Sequence, residues 1–246
     1  MFVAALFFFA IIVNASEILA GRWTEVPGAN LNDSGLYDVA VVSANDVWAV
    51  GSLATRAQIE HWDGTSWSVV AVQPPGTLLN GVAALSSNDI WAVGQNGAHN
   101  LVEHWNGQRW VRVPSPSIGT YDVLTAVCAI SHEDASAVGY SIPFLYSLMH
   151  WDGTSWSVVN GPPANSSALV SIKAFATDDV WAVGYKDFNS FPFTSSTFTL
   201  HWDGTDWREI ASPTVSDQSF LSGVDGATSD DVWAVGTQQA GALAMH

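Results

Sequence analysis

Five of the seven histidines in this 246-residue chain recur in one phrase. HWDGTSWSVV occurs at 61–70 and again at 150–159, HWNGQRW starts at His104, HWDGTDW starts at His201, and His246 takes the same place in a last unit. Zinc is the first chemistry such a set suggests. Its ligands must converge on one ion at about 2.0–2.1 Å. These histidines are spaced roughly 45 residues apart, once per repeat, which carries them to different units and away from any common ion. The pattern predicts structural histidines and no metal site. His99 and His132 fall in loops with no partner visible in the sequence.

The carboxylates come next. There are 23 acids against 7 bases, a formal charge of −16. Glycoside hydrolysis needs two placed carboxyl groups about 5–10 Å apart. A sialidase-like reaction also needs arginines gathered to grip a carboxylate. The arginines are Arg22, Arg56, Arg109, Arg112 and Arg208, and all but Arg56 fall in fourth-strand segments. No Ser–His–Asp set or phosphate loop is present. Cys128, the one cysteine, sits among small residues with no basic partner nearby, so it reads as a packed thiol and not a nucleophile. It cannot form an intramolecular disulfide. The sequence therefore predicts no catalytic residues and no cofactor. The excess of acid argues against nucleic acid and anionic membrane surfaces, which are bound through Lys and Arg.

The elements that position these residues are repeats. DVWAVG stands at 46–51, 179–184 and 231–236, DIWAVG at 89–94, and the degenerate DASAVG at 134–139. Each unit reads L-x-x-V-small-small, an acidic turn, (V/I)WAVG, a variable stretch, HWDGTxW and a Pro-containing link. All 13 tryptophans occupy three repeat positions, so they belong to the scaffold. The apolar runs are punctuated by Gly, Asp, Asn, Ser and Pro, which reads as strand and turn with no helical period. In VWAVG both faces of the strand are apolar, because side chains alternate. Such a strand must be covered on both sides, as in a blade stacked between blades. Four strands per unit at a period of about 40–50 residues indicate an all-β β-propeller.

The blades are placed at about 35–71, 78–114, 122–160, 168–211 and 220–246. The last lacks its fourth strand, and GRWTEVPG at 21–28 matches an isolated one. The expected architecture is five four-stranded blades in one domain over 16–246, with the N-terminal strand closing the last blade. The alternative is a piece of a larger ring of six or seven blades. Asp-Gly at 63–64, 152–153 and 203–204, and Asn-Gly at 106–107, mark tight hairpins. Lys173 and Asp225 hold equivalent inner-strand positions in neighbouring units, so an ion pair is expected between them.

Gly closing the second strand, the aromatic–Asp turn and Trp opening the fourth strand resemble kelch-type repeats. DGTxW also resembles the Asp-box hairpin of sialidase-type propellers. The resemblance covers about 21–246 and implies a propeller. The chain has one Gly where kelch repeats have two, and His where the Asp box has Ser.

Function is expected on the loops that vary between units. GYSIPFLYS (139–147) and GYKDFNSFPFTSSTF (184–198) lie on adjacent blades. Tyr140, Phe144, Tyr146, Tyr185, Phe188, Phe191 and Phe193 form the candidate ligand-binding platform, or else pack the longer loops onto the scaffold. Ser136 stands where the other units carry Trp. An uncompensated loss of that size costs about 3–5 kcal/mol, so Tyr140 or Phe144 is expected to fill the space. The apolar run 2–13 reads as the core of an export leader over 1–15, giving a secreted or cell-surface protein with no membrane insertion beyond that leader. The functional expectation is a non-enzymatic binding scaffold for a protein or peptide. Its alternatives are a carbohydrate-binding propeller and an Asp-box-type glycoside hydrolase.

Overall fold

The computed structural model describes residues 24–29, 33–143, 145–190, 193–213 and 216–246. Among them nineteen strands form five antiparallel sheets and no helix occurs. The first blade holds β1 (Ser34–Ser43), β2 (Asp46–Leu53), β3 (Arg56–Trp62) and β4 (Trp67–Pro75). The second holds β5 (Thr77–Ser86), β6 (Asp89–Asn96), β7 (His99–Trp105) and β8 (Trp110–Arg112). The third holds β9 (Tyr121–Ser131), β10 (Asp134–Ile142), β11 (Leu145–Trp151) and β12 (Trp156–Val158). The fourth holds β13 (Ala168–Ala176), β14 (Asp179–Ser190), β15 (Phe193–Trp202) and β16 (Trp207–Glu209). The fifth has three strands: β17 (Ser219–Thr228), β18 (Asp231–Gln238) and β19 (Gly241–Met245).

Both faces of the WAVG strand are used as its pattern demands. Trp48 and Val50 join Ile59 in packing against Leu79, Ala92 and Leu101 of the second blade. Trp91, Val93 and Val102 pack in turn on Leu124, Ala137 and Met149 of the third. The glycine that ends each WAVG has a steric cause. A bulge in the facing inner strand brings its backbone so close that a Cβ on Gly94 would collide with the Leu78 carbonyl, and one on Gly139 with that of Val123. Polar residues of the inner strands then reach the next blade: Asp38 accepts from Val82 N at 2.8 Å, and Thr125 Oγ1 donates to Leu169 O at 2.8 Å. Lys173 Nζ meets Asp225 at 2.6 Å, as expected from their register. The pair is open to solvent and contributes little stability.

The two ends of the row differ from its interior. The inner strands β1, β5, β9, β13 and β17 pack in succession, and no comparable packing joins β17 to β1 among the described residues. Val39 and Val41 on β1, and Trp233 and Val235 on β18, stay about half exposed or more. Residues 21–23 of the closing strand expected over 21–28, Trp23 with them, lie outside the described residues, and 24–29 form no strand. Residues 24–29 are irregular, and Ala29 N lies 3.5 Å from Glu60 Oε2 on β3 of the first blade. Pro27, which has no N–H, interrupts any ladder there. A space of about 380 Å³ lined by Trp181, Ile210, Val232 and Met245 opens between the last two blades. The first two interfaces hold at that level a Trp pair from the third and fourth strands of the following blade.

The hairpins form as predicted and lie against the acidic turns of their own blades. Gly64 abuts Asn45, and Gly204 abuts Asp178. Trp62, Trp105, Trp151 and Trp202 each donate Nε1 to a turn carbonyl at 3.0–3.2 Å. Asp63 Oδ1 accepts from Thr65 Oγ1, Thr65 N and Ser66 N at 2.6–2.9 Å, and Asp152 does the same with Thr154 and Ser155. The threonine hydroxyl first, then the two amides, hold each carboxyl at about 2, below the ordinary 3.8. A carboxyl with a lowered folded pKa stabilises fully above its unfolded value and loses that effect as pH falls through its folded one. Asn106 makes the two amide contacts without titrating. The double variant Asp63→Asn, Asp152→Asn therefore keeps its hairpins. Its melting temperature should fall less steeply than wild type between about pH 4 and pH 2. An unchanged slope would place the acid sensitivity elsewhere.

Candidate functional site

The histidines stay within their own blades. His61, His104, His150, His201 and His246 each set Nε2 2.7–3.1 Å from the first Asp of the DVWAVG phrase, namely Asp46, Asp89, Asp134, Asp179 and Asp231. In the first, fourth and fifth blades the same carboxyl oxygen accepts the indole N–H of Trp48, Trp181 or Trp233 at 2.8–3.1 Å. The indole also lies on the imidazole, with centroids 4.2–4.5 Å apart in four blades. Burial works against ionisation of Asp46, but hydrogen bonds from Ser87, His61 and Trp48 outweigh it and leave the pKa lowered. Sequence reasoning gave the histidines a structural role and missed their partner. The signal was present, since the Asp and the His keep one register in every unit.

His132 corrects a second expectation, that it lacks a partner. Its Nδ1 lies 2.8 Å from Asp89 Oδ2 of the preceding blade, while Asp89 Oδ1 faces His104 Nε2 at 2.7 Å. Among the described residues Asp89, His104 and His132 are the one group whose ligand atoms lie within 4.8 Å of one another. Both oxygens of Asp89 are thereby engaged, and the Asp89–His104 pair is the one every blade carries. His99 Nδ1 lies 3.4 Å from Ser117 Oγ.

The expected aromatic platform divides. Tyr146 is a core ring: it packs edge-on to Phe198 at 5.3 Å and donates its hydroxyl to Pro162 O at 2.6 Å. Burial pushes its pKa up to about 12. Tyr140 is half-buried, and burial first, then the phenols of Tyr121 and Tyr185, raises its pKa. Tyr185, Phe188 and Phe193 do come together, and they gather around Phe220 of the fifth blade. The centroid distances are 6.0 Å for Tyr185–Phe188, 5.1 Å for Tyr185–Phe220, 5.3 Å for Phe188–Phe193 and 5.9 Å for Phe193–Phe220. Phe144 and Phe191 lie outside the described residues. Phe220 escaped the sequence reading. Its signal was a large ring at a register position where the other inner strands carry Gly35, Leu78, Val123 and Ala168.

The long hairpin that carries these rings is shaped by its own backbone. β14 runs four residues beyond β6 or β18, and a register shift between Lys186 and Asn189 turns it around Asp187, whose φ is 56°. Lys186 Nζ is held by Glu209 at 2.6 Å. Beside it a polar groove of about 280 Å³ is lined by Lys186, Asp187, Ser196, Glu209, Ser212 and Ser216.

Tyr140 does not fill the space that Ser136 leaves. Four residues along β10 place it about 13 Å away, toward the opposite rim. The space remains as a cavity of about 310 Å³ between the third and fourth blades. Cys128, paired across from Ser136, has its thiol pushed up to about 12 by burial, in keeping with a packed side chain.

No protein-family profile and no curated protein sequence matches this chain. Solved structures do. YCF48 bound to D1 peptide superposes with a TM-score of 0.55 at 15% identity, over 86% of this chain and 66% of that one. The SapL1 lectin in complex with alpha methyl fucoside gives 0.58 at 14%, over 84% and 73%. U3-55K gives 0.59 at 14%, over 91% and 70%. The chain thus spans about two thirds of the length of the YCF48 structure. The likeness establishes the β-propeller fold and, at such identities, nothing finer.

The two kinds of ring should separate by stability. Tyr146→Ala should cost at least about 2 kcal/mol, as a large-to-small change inside a blade interface. Phe193→Ala, at the exposed edge of its cluster, should cost less than about 1 kcal/mol. Urea denaturation of the two variants reads the difference.

Proposed function

We propose that the chain is a non-enzymatic binding module that takes a protein or peptide segment on the Tyr185–Phe188–Phe193–Phe220 cluster. One observation carries this reading: rings from two blades form a contiguous apolar surface whose outer member, Phe193, is 45% exposed. Surface patches of this kind mark contact sites, and their aromatic members supply most of the contact energy. Tyr140, close enough to Tyr185 to raise its own pKa, extends the surface toward the third blade. A propeller of this fold with a bound peptide supports the reading. No cofactor is required.

A carbohydrate ligand is the second reading. The polar groove at Lys186, Asp187, Glu209 and Ser212 offers donors and acceptors for sugar hydroxyls beside the rings, and a lectin of the same fold has been solved with a fucoside. A glycoside hydrolase of Asp-box type needs gathered arginines. Among the described residues Arg208 is tied to Asp203 at 3.0 Å on its own hairpin, and Arg56, Arg109 and Arg112 stand on the first two blades. Action outside the cell belongs to the same proposal and rests on the apolar run 2–13, which lies outside the described residues. Among those described, no helix is long and apolar enough to cross a membrane.

The test is a peptide-display selection run beside a glycan array, with wild type and the double variant Phe193→Ala, Phe220→Ala. The expected result is a shared peptide motif enriched by wild type and lost in a variant that melts as a folded protein. Selective glycan binding without peptide enrichment would establish the second reading. Binding of neither class by the folded protein would overturn both.

A further inference from the structure

The third blade breaks the repeat at Ser136, where the other blades carry Trp48, Trp91, Trp181 and Trp233. The intact blades show what that position holds. The indole lies on the imidazole paired across from it. Its N–H reaches the acidic-turn carboxyl in three blades. Trp48 and Trp91 also meet the Trp pair of the next blade at centroid distances of 5.0–5.7 Å.

In the third blade every one of these partners stands in place. His150 is the cross-strand neighbour of Ser136, as His61 is of Trp48. Asp134 Oδ1 holds His150 Nε2 at 3.0 Å, and no indole among the described residues reaches that oxygen. Trp202 and Trp207 of the fourth blade form the usual pair at 6.0 Å. Between them lies the cavity of about 310 Å³, lined by Asp134, Ser136, His150, Val180, Trp202 and Trp207. That volume is at the lower end for small-ligand sites, with apolar walls and few polar groups, as such sites have. The cavity reaches solvent past the imidazole: the His150 side chain is 41% exposed, against 26%, 14% and 25% for His61, His104 and His201.

We propose that this cavity is a binding site for an indole ring, either free or carried on a tryptophan side chain of a peptide. The N–H donates to Asp134, one face lies on His150, and the far edge meets Trp202 and Trp207. The ligand restores from outside what the other blades make from within: the imidazole stack of four blades, the carboxyl bond of three and the Trp pair of two. A largely enclosed site with an acceptor for one N–H disfavours a ring lacking that donor. The site is independent of the ring cluster proposed above, since it sits on the other rim and shares no residue with it.

The experiment uses the whole chain and free indole as probe, followed by thermal shift and by saturation-transfer NMR. Indole is expected to raise the melting temperature saturably. Naphthalene, a fused ring of similar size without an N–H, is expected to bind at least about tenfold more weakly. Ser136→Trp supplies the ring from the chain itself and should raise the melting temperature and abolish the response to indole. Ser136→Phe, a smaller change kept in case the first does not fold, should weaken indole binding at least about tenfold. A blocked Gly-Trp-Gly peptide separates the two sources: tighter binding than indole assigns the site to a side chain, and weaker binding assigns it to the free ring. No saturable response to indole, or binding unchanged in both variants, would overturn the proposal.

Discussion

Everything in this structure depends on one indole, placed between two blades. Trp48 is positioned by its own blade, through Asp46 and His61, and is buried by the next blade, through the pair Trp105 and Trp110. Trp48 and Trp91 are almost wholly removed from water. An aromatic side chain buries about 150–250 Å², an upper-bound stabilisation of about 4–6 kcal/mol at about 25 cal/mol/Å². No blade collects that alone, because half of each contact belongs to its neighbour. Stability is therefore nearest-neighbour in kind, as in other repeat proteins. The end of the row shows the same rule from the other side: Trp233 has its Asp and its His but, among the described residues, no following Trp pair, and it stays 50% exposed.

That interaction also divides the labour between the two rims. Acidic turns and Asp-Gly hairpins meet at one rim, where Asp, His, Trp and Gly are all needed to seat the indole. Change there is costly, and the phrases repeat almost letter for letter. At the other rim the β2–β3-type loops and the blade links carry no part of the indole seat. The β14–β15 hairpin has lengthened there, and it gathers its rings with Phe220 across a blade boundary. Strands set rigidly by the first rim thus present freely varied loops at the second.

The periodic part of this fold was legible in the sequence because periodicity is a local property. Strands, tight hairpins, the shared rim of turns and hairpins, and the Lys173–Asp225 pair all follow from counting along one register. What escaped depends on contacts that the register does not encode. Tyr146 and Phe193 look alike in a loop of aromatics, yet one turns into the blade interface to meet Phe198 and the other turns outward. Phe220 joins the cluster from a different blade. The closing strand was inferred from a likeness between 21–28 and the fourth strands; Trp23, which carries that likeness, lies outside the described residues, and the described part of the stretch lies beside Glu60.

Ser136 shows why a broken repeat says more than an intact one. Had the third blade lost the whole seat, its neighbours would have collapsed into the gap or repacked around it. The seat survives: Asp134 and His150 are paired, Trp202 and Trp207 stand together, and the inner strands keep their register. Only the ring is missing. A Trp at Ser136 would add the wall contacts that Trp48 and Trp91 make at the equivalent place. Retaining the frame without the ring sets this interface apart from the two before it, where Trp48 and Trp91 fill the same place. Anything that binds the folded state there stabilises the junction between the third and fourth blades by mass action. The fourth blade carries the exposed ring cluster at its opposite rim, so one blade stands under both candidate sites.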